Sequence, residues 1–99
     1  MTGSSHDVER RHPRTRPDLS VYPLDDELVI YDPENGESYI LNATGRLVWE
    51  RCDGRRTSGD IAREIAVLHC VSAAHALEHV TDLIAMFEES NLLTIGPIR

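Results

Sequence analysis

The sequence predicts an α+β domain in which a small antiparallel three-stranded sheet is followed by three helices. Two local observations carry this reading. An Asn35-Gly36 pair stands between two apolar runs, Glu27 to Tyr31 (ELVIY) and Ser38 to Leu41 (SYIL), and that arrangement is the strongest short-range hairpin signal. After Asn42 the apolar residues recur at the three-and-four spacing of helices rather than at the period of two of strands. Length adds a bound: 99 residues fill one compact domain that buries only about 60% of its unfolded surface, which argues against a deep enclosed active site.

Taken in order, residues 1–17 read as a disordered arm. They are polar, hold Arg10, Arg11, Arg14, Arg16, Pro13 and Pro17, and lack aromatics, a composition that cannot offset the entropy of ordering. Residues 18–96 form the domain and 97–99 a short tail. Leu19 to Pro23 (LSVYP) reads as an edge strand closed by proline. The hairpin strands follow.

Asn42 or Thr44 caps the first helix, which carries Leu47, Val48, Trp49 and Cys52 and stops at Asp53-Gly54, where the glycine supplies positive φ. Thr57 or Ser58, with Asp60 behind it, opens the second, whose stripe is Ile61, Ile65 and Leu68. Ser72 caps the third, with Leu77, Val80, Ile84 and Phe87 at helical spacing up to Asn91. The segment Leu92 to Ile95 then packs back as a last strand or lies extended against the sheet. The order of elements resembles a winged helix-turn-helix with its sheet placed first.

Composition excludes several function classes. A formal net charge of -7 and a pI near 5.1 give no field that gathers phosphates, so nucleic acid and anionic membrane are poor partners. Every basic side chain is Arg and none is Lys, which removes Schiff-base and phosphate-loop lysine chemistry. The first residues lack the apolar core of a signal peptide, no apolar run reaches the roughly 20 residues of a membrane span, and the two cysteines, Cys52 and Cys70, sit in helical contexts. A reducing cytoplasmic setting is the expectation.

The stretch ESYILNATGRLVWERCDGRRTSGDIAREI resembles the central signature of the PqqD family. The matching positions are Leu41, Asn42, Ala43, Thr44, Val48, Trp49, Asp53, Gly54 and Thr57, followed downstream by Val80, Leu83, Ile84, Phe87 and Leu92-Leu93. The resemblance implies a discrete RiPP recognition element of about Leu19 to Ile95, a peptide chaperone of the kind found in lasso-peptide gene clusters. Such a domain binds the leader of a ribosomally made precursor peptide and presents it to a radical-SAM enzyme, a cyclase or a leader protease. It implies no catalysis and no cofactor. It also implies a mode of binding, in which the leader adds a strand beside the third strand and lies in a groove against the third helix.

An exposed sheet edge supplies unpaired backbone donors and acceptors to an extended peptide, and side chains beside it supply specificity. On that mode the binding residues are Ser38, Tyr39, Ile40 and Leu41 on the strand, with Ala73, Ala76, Val80 and Leu83 on the helix, where the small N-terminal residues leave room for a guest. A large charge at Ala76 is then expected to abolish binding without changing the circular dichroism. The helical row has a competing reading as core, to which Val80 and Leu83 are the most open. Trp49 reads as a core anchor.

Other chemistry is weaker. His75 and His79 stand four apart on one helix face, near His69 and Cys70, but no further ligand joins them into a metal site, and solvated helix histidines in reach of a guest peptide are the simpler reading. Cys70 and His69 are helix neighbours that point about 100° apart and cannot form a base-nucleophile pair. The rival functions are a winged-helix DNA-binding or transcriptional adaptor protein, which the acidic second and third helices disfavour, and a purely structural subunit of a modifying enzyme.

Overall fold

The computed structural model describes residues 12–95. Eight elements follow in order: β1 (Pro13–Thr15), β2 (Ser20–Leu24), β3 (Glu27–Asp32), β4 (Glu37–Leu41), α1 (Ala43–Glu50), α2 (Ser58–His69), α3 (Ala73–Glu89) and β5 (Leu93–Ile95). The α+β class, the three-stranded antiparallel sheet ordered β2-β3-β4 and the three helices after it agree with the sequence. The likeness to a winged helix-turn-helix is a loose one.

Each turn has a local cause. Between β3 and β4 the Asp32 carbonyl accepts from Gly36 N at 2.8 Å, and Asn35 Oδ1 accepts from Glu37 N at 2.9 Å. Gly36 sits at φ 75, where a side chain would strain the backbone. Asp25 takes φ 56 in the two-residue turn joining β2 to β3, a conformation that Asp tolerates better than most residues. Register pairs Leu28 with Leu41 and Ile30 with Tyr39, so these residues share the face that packs on α1. Val29, Tyr31, Ser38 and Ile40 take the opposite face.

The helices begin at capping side chains. Asn42 Oδ1 accepts from Gly45 N at 2.8 Å, so Asn42 rather than Thr44 caps α1. Thr57 rather than Ser58 caps α2: its hydroxyl accepts from Asp60 N at 3.0 Å while Asp60 Oδ2 accepts from Thr57 N at 3.1 Å, a complete capping box. Ser72 caps α3. The first helix ends earlier than the Asp-Gly stop, at Glu50 with Arg51 as its C-cap, so Cys52 lies beyond it; Gly54 does take positive φ, at 83, in the turn that follows.

The core lies between the sheet and the helices. Leu28, Ile30 and Leu41 from the strands meet Val48, Trp49, Cys52, Ile61, Ile65, Val80, Ile84 and Phe87. Trp49 packs edge-on against Phe87, with ring centroids 5.3 Å apart at 86°, a preferred aromatic geometry.

The arm requires a correction. Residues 12–17 are ordered: β1 pairs antiparallel with β5 in a separate two-stranded sheet. Pro13 is fully buried, its carbonyl accepts from Gly54 N at 2.9 Å, and Thr15 N donates to the Cys52 carbonyl at 3.2 Å. Arg16 is the anchor. Its guanidinium donates to both carboxyl oxygens of buried Asp32, at 2.8 and 3.2 Å, and to the Asn91 carbonyl at 2.9 Å. Composition misjudged these residues because their partners lie far along the chain. Leu93–Ile95 is a strand, but it joins β1 rather than the three-stranded sheet. Residues 1–11 of the arm and the tail 97–99 lie outside the described residues.

Candidate functional site

Among the described residues β4 has a neighbouring strand on one side alone. Its other side therefore presents backbone N–H and C=O groups without sheet partners. The second edge of the sheet, β2, contains Pro23, and a strand proline lacks a donor. The row along β4 (ESYIL) has no such gap.

The side chains of β4 divide by face. Ile40 is 67% exposed on the outer face, with Ser38 exposed beside it. Tyr39 is half-buried, packed against the core from the inner face. Leu41, proposed from sequence as a groove residue, is instead 4% exposed and belongs to the core. Its backbone is at the edge, whereas its side chain pairs across to Leu28.

The helical row needs a larger correction. Ala73 is exposed and Leu83 half-buried, but Ala76 and Val80 are 1% and 0% exposed. They fall on one stripe with Ile84 and Phe87 and cannot line an open groove. A charge at Ala76 would therefore enter the core and disturb folding, so it would not spare the circular dichroism.

The sequence reading did not find a cavity of about 160 Å³ at the entry to α1. Thr44, three residues beyond Leu41, lines it together with His69, His75 and His79, over a floor of Ile65 and Ala76. Its position follows from the α2–α3 turn, which brings the end of one helix beside the start of the next. The histidine spacing was legible, while the approach of His69 depended on that turn. Among the described residues no group of three or more His, Cys, Asp or Glu side chains is placed to hold a metal ion.

An open strand edge, a helical core behind it and a shallow cavity where strand passes into helix define a small α+β domain with its accessible backbone at one sheet edge. The sequence model of the family described as coenzyme PQQ synthesis protein D (PqqD) matches residues 27–93, from β3 to the start of β5, and the chain belongs to that family.

Solved structures share the fold. A lasso peptide synthetase B1 complexed with the leader peptide is 25% identical, with TM-score 0.75 over 84% of this chain and 98% of that one. TbiB1 in complex with the TbiA(beta) leader peptide is 19% identical, with TM-score 0.74 over 81% and 93%. The PqqD truncation of Methylobacterium extorquens PqqCD, a stand-alone RiPP recognition element studied by solution NMR, is 19% identical, with TM-score 0.69 over 83% and 87%. No curated protein matches the chain.

Proposed function

We propose that this domain binds the leader segment of a ribosomally synthesised precursor peptide by strand addition to β4 and presents it to a partner enzyme. The observation that carries the reading is the free, proline-less edge of β4 in a PqqD-family fold. Two of the similar structures are complexes with leader peptides, which supports it.

Backbone pairing to Ser38, Tyr39, Ile40 and Leu41 supplies affinity that does not depend on the guest's side chains. Specificity falls to Tyr39 and Ile40 on the strand and to half-buried Leu83 on α3. Ala73 belongs to the proposed set through its exposure, and Ala76, Val80 and Leu41 support it from the core. The domain itself performs no catalysis and takes no cofactor. A radical-SAM enzyme, a cyclase or a leader protease does the chemistry. The setting is cytoplasmic, which suits the two free cysteines, one buried and one exposed. The DNA-binding alternative gains nothing, since the exposed side of α3 carries Glu78, Asp82, Glu88 and Glu89.

The test is a calorimetric titration with the leader peptides encoded beside the gene, using a DNA duplex as control. Saturable binding at about micromolar strength, near -8 kcal/mol, is the expected result. Leaders N-methylated at alternate amides then report the mode: one alternation abolishes binding and the other spares it, because only every second amide of an added strand faces β4. Equal tolerance of both sets would exclude strand addition. Binding to no leader would favour the structural-subunit reading.

A further inference from the structure

Strand addition to β4 leaves the histidines of α3 without a use. His75, His79, Leu83 and Met86 recur on one face of that helix, each one residue before a member of the buried stripe Ala76, Val80, Ile84 and Phe87. Leu77 lies on another face, where it lines a recess with Gly59 and Ala62 of α2. His75 and His79 instead line the cavity that Thr44 closes at the start of α1. Thr44 follows Leu41 by three residues, about 10 Å of extended chain, so a strand paired to β4 and continued past Leu41 reaches the cavity.

The chemistry of the cavity is unlike that of the groove around it. Its floor, Ile65 and Ala76, is buried and apolar, whereas His69, His75 and His79 are exposed on its rim. No carboxylate lines it, and no described acidic group forms an ion pair with any of the three imidazoles. Residues 17–45, which hold β4, and residues 64–95, which hold α3, contain no Arg or Lys. The histidines are therefore the one source of positive charge along that groove. The groups facing the cavity are Thr44 from α1, His69 from α2, and His75 and His79 from α3. Exposed Glu78 and Asp82 stand beside the α3 pair outside the lining, and Cys70 follows His69 in the α2–α3 turn.

We propose that this cavity receives an aspartate or glutamate side chain of the bound leader, held by the protonated histidines. The proposal rests on the leader-presenting reading and names the guest residue that the domain selects. The apolar floor takes the methylene stem, and imidazolium N–H groups donate to the carboxylate. A chain of net charge -7 repels an acidic guest elsewhere, so one such residue at the right position sets the register of the added strand. Binding then takes up protons, and affinity rises as the pH falls through the range in which histidine ordinarily titrates.

The experiment measures the affinity of the full chain for the leader encoded beside its gene at about pH 8 and about pH 6, with a chelator present; guest carboxylates stay ionised across that interval. Wild type is expected to bind at least about threefold more tightly at the lower pH. The double variant His75→Gln, His79→Gln, whose positions are exposed, is expected to fold and to lose that gain. His12 lies away from the cavity, its ring against the Arg55 carbonyl, and His12→Gln is expected to keep it. Leaders with each Asp or Glu changed in turn to its amide are expected to include one that binds wild type without the gain.

Equal wild-type affinity at the two pH values overturns the proposal. So does a gain that survives in the double variant, in every amide leader, or in a leader that has no acidic residue. Each of these results leaves the leader reading standing, because binding itself is still seen. Absence of leader binding at both pH values overturns the leader reading and the proposal with it.

Discussion

Arg16 and Asp32 show how much one pair of side chains can organise. Asp32 is 1% exposed, and a carboxylate so placed must be paired and hydrogen-bonded. The Arg16 guanidinium and the Glu34 N–H meet that need, and the guanidinium holds the Asp32 carboxyl below the usual carboxylate range. A carboxyl depressed in the folded state stabilises above its unfolded value of about 4, and that stability is lost as the pH falls through the lower folded value. The Asp60 carboxyl, depressed first by the Thr57 N–H, acts in the same direction. Denaturation of Arg16→Ala and wild type at pH 7 and pH 3 is expected to show a large deficit in the variant at pH 7 that narrows at pH 3.

The cysteines provide a second test at this scale. Cys52 is 2% exposed, its Sγ donates to the Val48 carbonyl at 3.2 Å, and burial pushes its thiol up to about 12. Cys70 is exposed, in the left-handed position that ends α2. A thiolate-selective reagent is expected to label Cys70 alone in the native protein and both thiols after denaturation, with mass spectrometry reading the stoichiometry.

Among the elements, α2 depends on its reciprocal cap. Thr57→Ala removes the acceptor for Asp60 N and is expected to cost about 1 kcal/mol in chemical denaturation. A cost within error of zero would mean that tertiary packing alone fixes the start of the helix. This cap was legible in TSGD, as the hairpin was in Asn35-Gly36, because each is decided by residues within four of one another.

The groove row was less legible for a geometric reason. Ala73, Ala76, Val80 and Leu83 recur at the same spacings as the core stripe beside them, and when both rows are apolar their phase cannot be separated by hydrophobicity alone. Burial resolves it: Ala76 and Val80 are inside, while Ala73 and Leu83 flank them. Strand β1 was illegible for another reason. Pro13 and Arg16 are fixed by Gly54, Asn91 and β5, and no local pattern reports partners that far away.

For the molecule as a whole, the β1–β5 pair sets what can be cut away. Deleting residues 1–17 removes β1, uncovers β5 and leaves Asp32 without its arginine. Deleting residues 1–11 keeps both the β1–β5 pairing and the Arg16–Asp32 ion pair. Thermal melts of the two truncations are expected to differ by at least about 5 °C, the shift that roughly 1 kcal/mol produces in a domain of this size. Equal midpoints would show that the pairing adds nothing to global stability.

The same pairing has a consequence for how the fold can be carried. Pro13 and Ile95 are register partners on antiparallel strands, so the chain enters and leaves at points only about 5 Å apart. The unit therefore hangs from a narrow stalk. Grafted into a surface loop of a host protein, it would ask the host to bridge little more than the gap between two neighbouring strands, while the outer edge of β4 stays unpaired.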